Sequence, residues 1–280
     1  MDMADTASLA GWHARLDLGF ERRATRSVLA TRRHEGPLVV QKSLYPEGEG
    51  ICHAIVLHPP AGIAGGDQLE FFANAGSGSH AVLGTPGAAK WYRSAGAWAR
   101  QNIAFDIGAG ACLEWLPQES IFYDGALAQI QSTIQLGKGA AYLGWEILCF
   151  GRGGAGTALK RGAFRMLSRV EHEGRPVFVE RGDFVAGDAI FGSRAGLDGK
   201  SVCATLIAAS TVCDPALVSA CRALSPAQGE CGVTLLPGVL VARYLGDSSE
   251  AAKNYFIRLR RILRPALMKL DATDLRIWST

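Results

Sequence analysis

Five acidic side chains lie within or beside apolar runs of the sequence that are typical of β-strands. They are Asp67, Glu114, Glu119, Glu146 and Glu180. An unpaired carboxylate is costly to bury, so each of them needs a partner. Salt bridges to arginines such as Arg93, Arg152 or Arg181 would satisfy them singly. Several carboxylates that face one internal channel would instead supply the oxygen ligands that a divalent cation needs. Both interpretations are open at this point.

A second candidate is the glycine-rich loop at residues 151–156, GRGGAG, which matches the G-x-G-x-x-G pattern of dinucleotide-binding folds. That pattern needs a helix after the loop, but residues 163–170, AFRMLSRV, favour a strand. Glu173 and Gly174 then predict a turn into a partner strand around residues 177–179. We therefore favour a turn within a β-sheet. A dinucleotide-dependent oxidoreductase that uses this glycine loop is the alternative.

Other catalytic patterns are incomplete or missing from the sequence. Residues 199–201, GKS, resemble the end of a phosphate-binding P-loop, but Arg194 stands where the first glycine of that motif belongs. The sequence has no Ser–His–Asp order, nucleophile elbow, H-E-x-x-H or kinase signature. It therefore predicts a protein that is not an enzyme.

The six His and seven Cys could bind a soft or borderline metal, but their spacing offers no compact ligand set. The number of cysteines is odd and no C-x-x-C occurs, which argues against a disulfide framework and a zinc knuckle. If residues 52–58 form a strand, Cys52 and His58 share one face and His53 lies on the other. We expect no tightly bound cofactor.

Charge and hydropathy exclude several classes of partner. The formal net charge of +3 is too small to predict nucleic-acid binding. The longest uncharged apolar stretch, residues 201–213, is shorter than the roughly 20 residues of a membrane helix and predicts a buried element. Acidic residues open the sequence and no apolar segment follows them, which argues against a secretory signal. We expect a cytoplasmic protein with a flexible N-terminus over residues 1–11.

The elements that must position the candidate residues are mostly strands. Between residues 12 and 194, apolar residues come in short, often alternating runs separated by Gly, Asn or Pro, the rhythm of a meandering β protein. The clearest predicted strands cover residues 52–58, 68–72, 80–83, 103–107, 126–136 and 141–143. No repeat or low-complexity linker divides the sequence. We therefore predict one all-β-dominated domain over residues 1–280.

Two segments near the C-terminus show a helical period instead. Asp214 and Pro215 predict an N-cap and first helical residue for a short helix. Ser248 or Ser249 caps a second helix, which Pro265 is expected to end or kink. One face of that helix is apolar. The other face carries five basic residues, Lys253, Arg258, Arg260, Arg261 and Arg264. We interpret it as a surface or protein-docking helix, not a nucleic-acid or membrane contact.

Five strings carry a resemblance to a known family. They are HPPAGIAGGD at residues 58–67, TPGAAKWYRS at 85–94, LEWLPQE at 113–119, FGR at 150–152 and RIW at 276–278. In order and spacing they resemble the urease accessory protein UreD family, called UreH in some organisms, over nearly the whole chain. One departure is Ala61, which stands where the family more often has Gly.

The resemblance implies a non-enzymatic scaffold with a long, coiled β arrangement and two helices. Such a protein joins urease accessory proteins F and G, docks on apo-urease and helps to place nickel in the urease active site. GTP hydrolysis belongs to the G partner, which fits the incomplete P-loop here. It also implies that nickel passes through the interior of the protein. Asp67, Glu146 and Glu180 match acidic positions of the family pattern, and we predict that they, with Glu119, line or support that passage.

Transit requires weak, multiple sites, which scattered carboxylates suit better than a tight cage of cysteines would. A β-rich protein-binding scaffold through which no metal passes remains the other alternative.

Overall fold

The computed structural model describes residues 11–151 and 159–279, and strands dominate both ranges. A seven-stranded sheet runs in the order β14-β13-β11-β8-β5-β1-β2. Its strands are β1 (His13–Arg23), β2 (Arg26–Glu35), β5 (Gln68–Ala75), β8 (Ala99–Ile107), β11 (Leu127–Leu136), β13 (Ala163–His172) and β14 (Arg175–Val185). We refer to it as the first sheet.

The second sheet has ten strands and follows the order β16-β17-β15-β12-β9-β6-β4-β3. These strands are β3 (Val39–Leu44), β4 (Cys52–Leu57), β6 (His80–Gly84), β9 (Cys112–Leu116), β12 (Ala141–Phe150), β15 (Val202–Ala209), β16 (Glu230–Leu236) and β17 (Val239–Gly246). Two short strands, β7 (Ala89–Trp91) and β10 (Ser120–Phe122), pair with each other at its side, and β10 also pairs with β12.

The chain passes back and forth between the two sheets, and strands of successive turns pair in parallel. This holds for β5, β8, β11 and β13 in the first sheet and for β4, β6, β9 and β12 in the second. The result is a β-solenoid of about four turns with antiparallel pairs at its ends. The coiled, all-β-dominated fold is thus confirmed. The meander, in which neighbouring strands would be antiparallel, is wrong. Alternation of apolar and polar residues marks a half-buried strand whether its neighbours are parallel or antiparallel.

Alternation along β12 divides the protein into two cores. Tyr142, Leu148 and Phe150 point between the two sheets, whereas Leu143 and Trp145 point to the opposite face of the second sheet. That opposite face is covered by helices α2 (Pro215–Arg222) and α3 (Ser249–Met268). Because both faces of the sheet are buried, β12 is an almost continuous apolar run. Glu146 is the one charged residue within it.

The predicted helix starts are confirmed, and Pro265 does not end the second helix. The Asp214 carboxylate accepts a hydrogen bond from the Leu217 N–H at 2.8 Å, and the Ser248 hydroxyl accepts one from the Ala251 N–H at 3.1 Å. Helix α3 continues through Pro265 to Met268. The proline removes one backbone donor, but Leu267 and Met268 beyond it are buried, so packing holds the last turn.

The segment after the glycine-rich loop folds as the sequence indicates. Strands β13 and β14 form an antiparallel hairpin whose turn residues, Glu173 and Gly174, have positive φ angles of 50° and 76°. The helix that a dinucleotide-binding loop requires is therefore replaced by a strand. Residues 152–156 of that loop, and residues 1–10 of the predicted flexible N-terminus, lie outside the described residues.

Two short helical elements, the cysteines and the hydropathy of the helices complete the description of the fold. A four-residue helix, α1 (Ala189–Gly192), follows β14, and a 3₁₀ turn covers Arg276–Ser279. All seven cysteines lie in the described ranges and are free thiols. No helix in the part of the chain that the structure describes is long and apolar enough to cross a membrane.

Candidate metal passage

Glu146 lies on the inner face of β12 and lines three cavities between the two sheets. The first cavity, of about 210 Å³, also contains His58, Lys90 and Gln118 in its wall. The second, of about 440 Å³, extends to Glu180 and Arg243. A third, of about 20 Å³, is largely apolar. The Glu146 carboxylate therefore stands where the internal spaces of the solenoid meet.

In the part of the chain that the structure describes, the Glu146 carboxylate has one hydrogen-bond partner, a hydroxyl. The Ser132 hydroxyl on β11 donates a hydrogen bond to Glu146 Oε1 at 3.1 Å. Burial raises the pKa of Glu146 to about 7, the Ser132 bond opposes this change, and the negative charge of Glu180 adds to it. Within the described residues, Glu146 forms no ion pair. The group therefore changes between protonated and ionised forms near neutral pH.

Glu180 faces Glu146 from the other sheet. It lies on β14, opposite Ser168 of β13, and shares the second cavity with Glu146, Cys203 and Thr205. Its Oε1 atom forms an ion pair with Arg243 of β17, whereas its Oε2 atom is buried without a hydrogen-bond partner. The structure thus brings Glu146 and Glu180 to one cavity.

The partner of Glu180 differs from those that the sequence suggested. It is Arg243, more than sixty residues away along the chain, and neither Arg93 nor Arg181. Arg152, the third suggested partner, lies outside the described residues. No local pattern in the sequence singles out Ser132, Cys203 or Thr205 as neighbours of these glutamates. The alternation of β15 places residues 203 and 205 on one face, but nothing local in the sequence shows that this face looks into a cavity.

Asp67 lies apart from this pair and closes a loop. Its Oδ1 accepts a hydrogen bond from the Trp12 N–H at 2.8 Å, and its Oδ2 accepts one from the Ala64 N–H at 2.7 Å. It does not line the three cavities. Its charge acts on His58 of the first cavity, whose pKa is lowered by burial and raised by Asp67, with burial the larger effect. Asp67 therefore acts electrostatically on the first cavity through His58.

Glu119 is also outside the cavity walls. It lies between β9 and β10, where its carbonyl accepts a hydrogen bond from the Ala89 N–H at 2.9 Å. Its side-chain charge helps to raise the pKa of Cys149, a change to about 12 that burial dominates. Cys149 belongs to the core beneath α3. The neighbouring Gln118, not Glu119, reaches the first cavity.

Metal ligands are dispersed along this interior. Among the residues that the structure describes, no group of three or more His, Cys, Asp or Glu side chains is arranged to hold a metal ion. The first cavity has His58 and Glu146 in its wall, and the second has two glutamates besides Glu146 and two cysteines, namely Glu180, Glu230, Cys203 and Cys231. Such an arrangement suits brief contacts with a cation better than tight coordination.

Comparison with known proteins identifies the family of this chain. Residues 13–279 match the family described as UreD urease accessory protein. The urease accessory protein UreD of Azoarcus sp. (strain BH72) is 52% identical over 98% of this chain and 96% of its own length. The UreD of Dechloromonas aromatica (strain RCB) is 52% identical over 96% of this chain and 95% of its own. The chain belongs to the UreD family of urease accessory proteins.

Membership in the UreD family confirms the assignment made from the five sequence strings. It also confirms the accessory, non-catalytic role of the chain in assembling the nickel centre of urease. The first of the strings forms the loop that Asp67 closes. Ala61 adopts a positive φ of 59° in this loop, a conformation that favours glycine.

We expect Asp67→Asn to destabilise this UreD-family protein by about 2 kcal/mol, because an amide nitrogen would face one of the two backbone N–H donors. Thermal or denaturant unfolding measures the change. Asp106→Asn, on an exposed position of β8, is the matched control and should stay within about 0.5 kcal/mol of wild type. Equal stability of the two variants would contradict the loop-closing role of Asp67.

A separate ionic cluster lies on the other face of the second sheet, under α3. Glu114 of β9 is fully buried and accepts hydrogen bonds from Arg260 at 2.7 Å, Arg264 at 2.8 Å and His80 at 3.1 Å. Burial would raise the pKa of Glu114, but the bond to His80 and the charges of the arginines hold it well below its usual range. Glu114 therefore anchors the helix to the sheet.

Glu47 extends this cluster on the far side of Arg264. It accepts a hydrogen bond from Arg264 Nη2 at 3.0 Å and contacts His53 Nε2 at 2.8 Å. Burial would raise the pKa of Glu47, but its bonds to His53 and Arg264 outweigh burial and lower the pKa to about 2. The expectation that the basic face of α3 is a surface is therefore wrong for two of its residues. Arg260 and Arg264 are buried because each has a carboxylate partner.

Proposed function

We propose that this UreD-family protein conducts Ni²⁺ through the interior of its solenoid during urease maturation. The observation that carries the proposal is the position of Glu146. This partly buried carboxylate, which forms no ion pair among the described residues, lines three neighbouring cavities. Burying such a group is unfavourable for stability, so its presence there is better explained by a function.

The ligands along the passage suit nickel in transit. Ni²⁺ accepts nitrogen and oxygen ligands, and His58, Glu146 and Glu180 offer both kinds in separate places. A conducting path needs binding that is favourable enough to admit the ion and weak enough to release it. Ligands that are not gathered into one site of three or more groups among the described residues meet that requirement. Asp67 supports His58 in this scheme, and Glu119 remains a candidate for the approach to the first cavity.

We further propose that the protein works in the cytoplasm as a scaffold. In this scheme it joins accessory proteins F and G and docks on apo-urease, so that the passage leads from the accessory partners to the urease active site. The resemblance of the sequence to the UreD family supports this arrangement of partners. The complex is then the unit in which nickel transfer must be measured.

We expect Glu146→Gln and Glu180→Gln each to reduce urease activation in cells that supply limiting nickel. The glutamine side chain keeps the size of glutamate but loses the charge that attracts a cation. Urease activity in lysates gives the result, and a pull-down with the accessory proteins and urease shows whether the complex assembles. Asp106→Asn, an exposed carboxylate on the same solenoid, is the matched control.

Full activation by both glutamine variants at limiting nickel would reject the passage and favour a scaffold through which no metal passes. Reduced activation together with normal complex assembly is the predicted outcome. Variants that no longer assemble would locate the defect in folding, and for this reason Glu146→Asp, which restores the charge, is included. Recovery by that variant is expected.

A further inference from the structure

The ion pair between Arg243 and Glu180 joins the two sheets across the second cavity. Arg243 lies on β17 of the second sheet, and Glu180 on β14 of the first. The same guanidinium nitrogen, Nη1, donates to Glu180 Oε1 and to the Thr205 hydroxyl at 3.0 Å. Thr205 is the register partner of both Glu146 and Arg243 in the second sheet. Among the described residues, the guanidinium is therefore the one positive charge in the wall of the second cavity.

This contact gives a hydrogen-bond partner to only one of the two carboxylate oxygens of Glu180. Arginine commonly binds a carboxylate through two parallel hydrogen bonds, yet Glu180 Oε2 is buried without any hydrogen-bond partner. The cavity beside it contains the Cys203 thiol and the Glu146 carboxylate. A buried carboxylate oxygen that lacks a donor, on a residue that lines a cavity with other potential metal-ligand side chains, indicates a place for a second cation.

The Arg243 side chain can reach solvent from this position. Its side chain is 47% exposed, whereas that of Glu180 is 19% exposed. An arginine that swings toward solvent regains hydration, but a glutamate left behind without a positive charge does not. The pair will therefore open only when another cation takes the place of the guanidinium.

We propose that Arg243 is a displaceable counter-ion of the passage, which occupies the cation position at Glu180 until a divalent metal ion replaces it. This inference rests on the proposed function and assigns to Arg243 the control of cation binding at Glu180. When the guanidinium withdraws, Glu180, the Thr205 hydroxyl and the Cys203 thiol become available to the ion. When it returns, it competes with the ion for Glu180 and promotes release toward Glu146.

Competition of this kind makes a specific prediction about nickel affinity. Removing the positive charge by Arg243→Gln should tighten Ni²⁺ binding by the full-length chain about tenfold, which is about 1.4 kcal/mol. Arg243→Lys retains a competing charge and should bind Ni²⁺ like wild type. Glu180→Gln should weaken binding in either background, because it removes the ligand for which Arg243 and the metal compete.

The affinity is measured by titrating the full-length protein with Ni²⁺ against a chromophoric chelator. Arg161→Gln is the matched control, because its ion pair with Asp124 is exposed and remote from the cavity walls. Thermal unfolding with and without Ni²⁺ provides a second readout. Arg243→Gln should lose stability without metal and show a larger nickel-induced increase in Tm than wild type, since a tighter ligand stabilises more.

Nickel binding by Arg243→Gln that equals or falls below wild-type binding would overturn the counter-ion role, as would an absence of binding by both proteins. These failures differ from failure of the proposed function. If Glu146→Gln blocks activation while Arg243→Gln leaves affinity unchanged, the passage stands and the counter-ion does not. If Arg243→Gln tightens binding while Glu146→Gln and Glu180→Gln activate urease fully, Arg243 governs a cation site that urease maturation does not use.

Discussion

Glu114→Gln is expected to destabilise the protein by about 3–5 kcal/mol, the usual effect of removing one partner from a buried ion pair. The substitution leaves the buried guanidinium groups of Arg260 and Arg264 facing a neutral amide. It also places an amide next to His80, which contacts the Glu114 carboxylate in the wild type. Helix α3 should then lose its attachment to the second sheet, although its apolar face is unchanged.

Chemical denaturation with a far-UV and a near-UV probe measures this change. Asp274→Asn is the matched control, because Asp274 pairs with Arg261 of the same helix but both side chains are more than half exposed. An exposed pair of this kind contributes about 0–1 kcal/mol. If Glu114→Gln were as stable as this control, the cluster beneath α3 would not be what attaches the helix.

Glu146→Gln is expected to have the opposite effect and to stabilise the protein at alkaline pH. The pKa of Glu146 is raised from 4.5 to about 7, so the folded state holds a proton that the unfolded state releases between these two values. Stability therefore falls as pH rises from about 4.5 to about 7. Above pH 7 the ionised carboxylate costs up to about 3 kcal/mol, which glutamine avoids while still accepting the Ser132 hydrogen bond.

Denaturant unfolding at pH 5 and pH 8 tests this prediction. The two proteins should have similar stability at pH 5, and the variant should be the more stable one at pH 8. Asp106→Asn reports the effect of removing an exposed carboxylate at the same two values. If the difference in stability between the wild type and Glu146→Gln were the same at pH 5 and pH 8, the raised pKa of Glu146 would be contradicted.

The two glutamates show how burial and partners separate structural from functional roles. Glu114 and Glu146 lie in the same sheet, but Glu114 faces α3 and Glu146 faces the first sheet. Glu114 has three hydrogen-bond donors from basic side chains, and Glu146 has one hydroxyl. Removing the charge should therefore damage the fold in one case and the transfer of nickel in the other.

Much of the architecture follows from local patterns in the sequence. The caps at Asp214 and Ser248 and the turn at Glu173 and Gly174 are settled by residues that lie within a few positions of one another. The strand after the glycine-rich loop was predicted for the same reason. Alternation located the strands but could not give their pairing sense, because parallel and antiparallel strands bury one face in the same way.

Contacts between residues far apart in the chain could not be predicted from such local patterns. The Glu114 cluster joins β9 to residues of α3 that are about 150 positions further along the chain. A basic stripe on a helix is usually solvated, so only the tertiary fold shows that Arg260 and Arg264 are buried. Glu146 and Glu180 were chosen through the family resemblance, and the shared cavity between them depends on how the two sheets stack. Arg243 had no distinguishing feature in the sequence.

The nickel passage is tested most directly by the nickel content of urease purified from cells that carry the double variant Glu146→Gln/Glu180→Gln. Metal analysis counts the nickel, and a pull-down from the same cells verifies that the accessory complex still docks on urease. If nickel moves through the passage, the complex should still dock on urease, and the urease should contain no more nickel than urease made without this chain. A wild-type nickel content in urease matured by the double variant would contradict the passage.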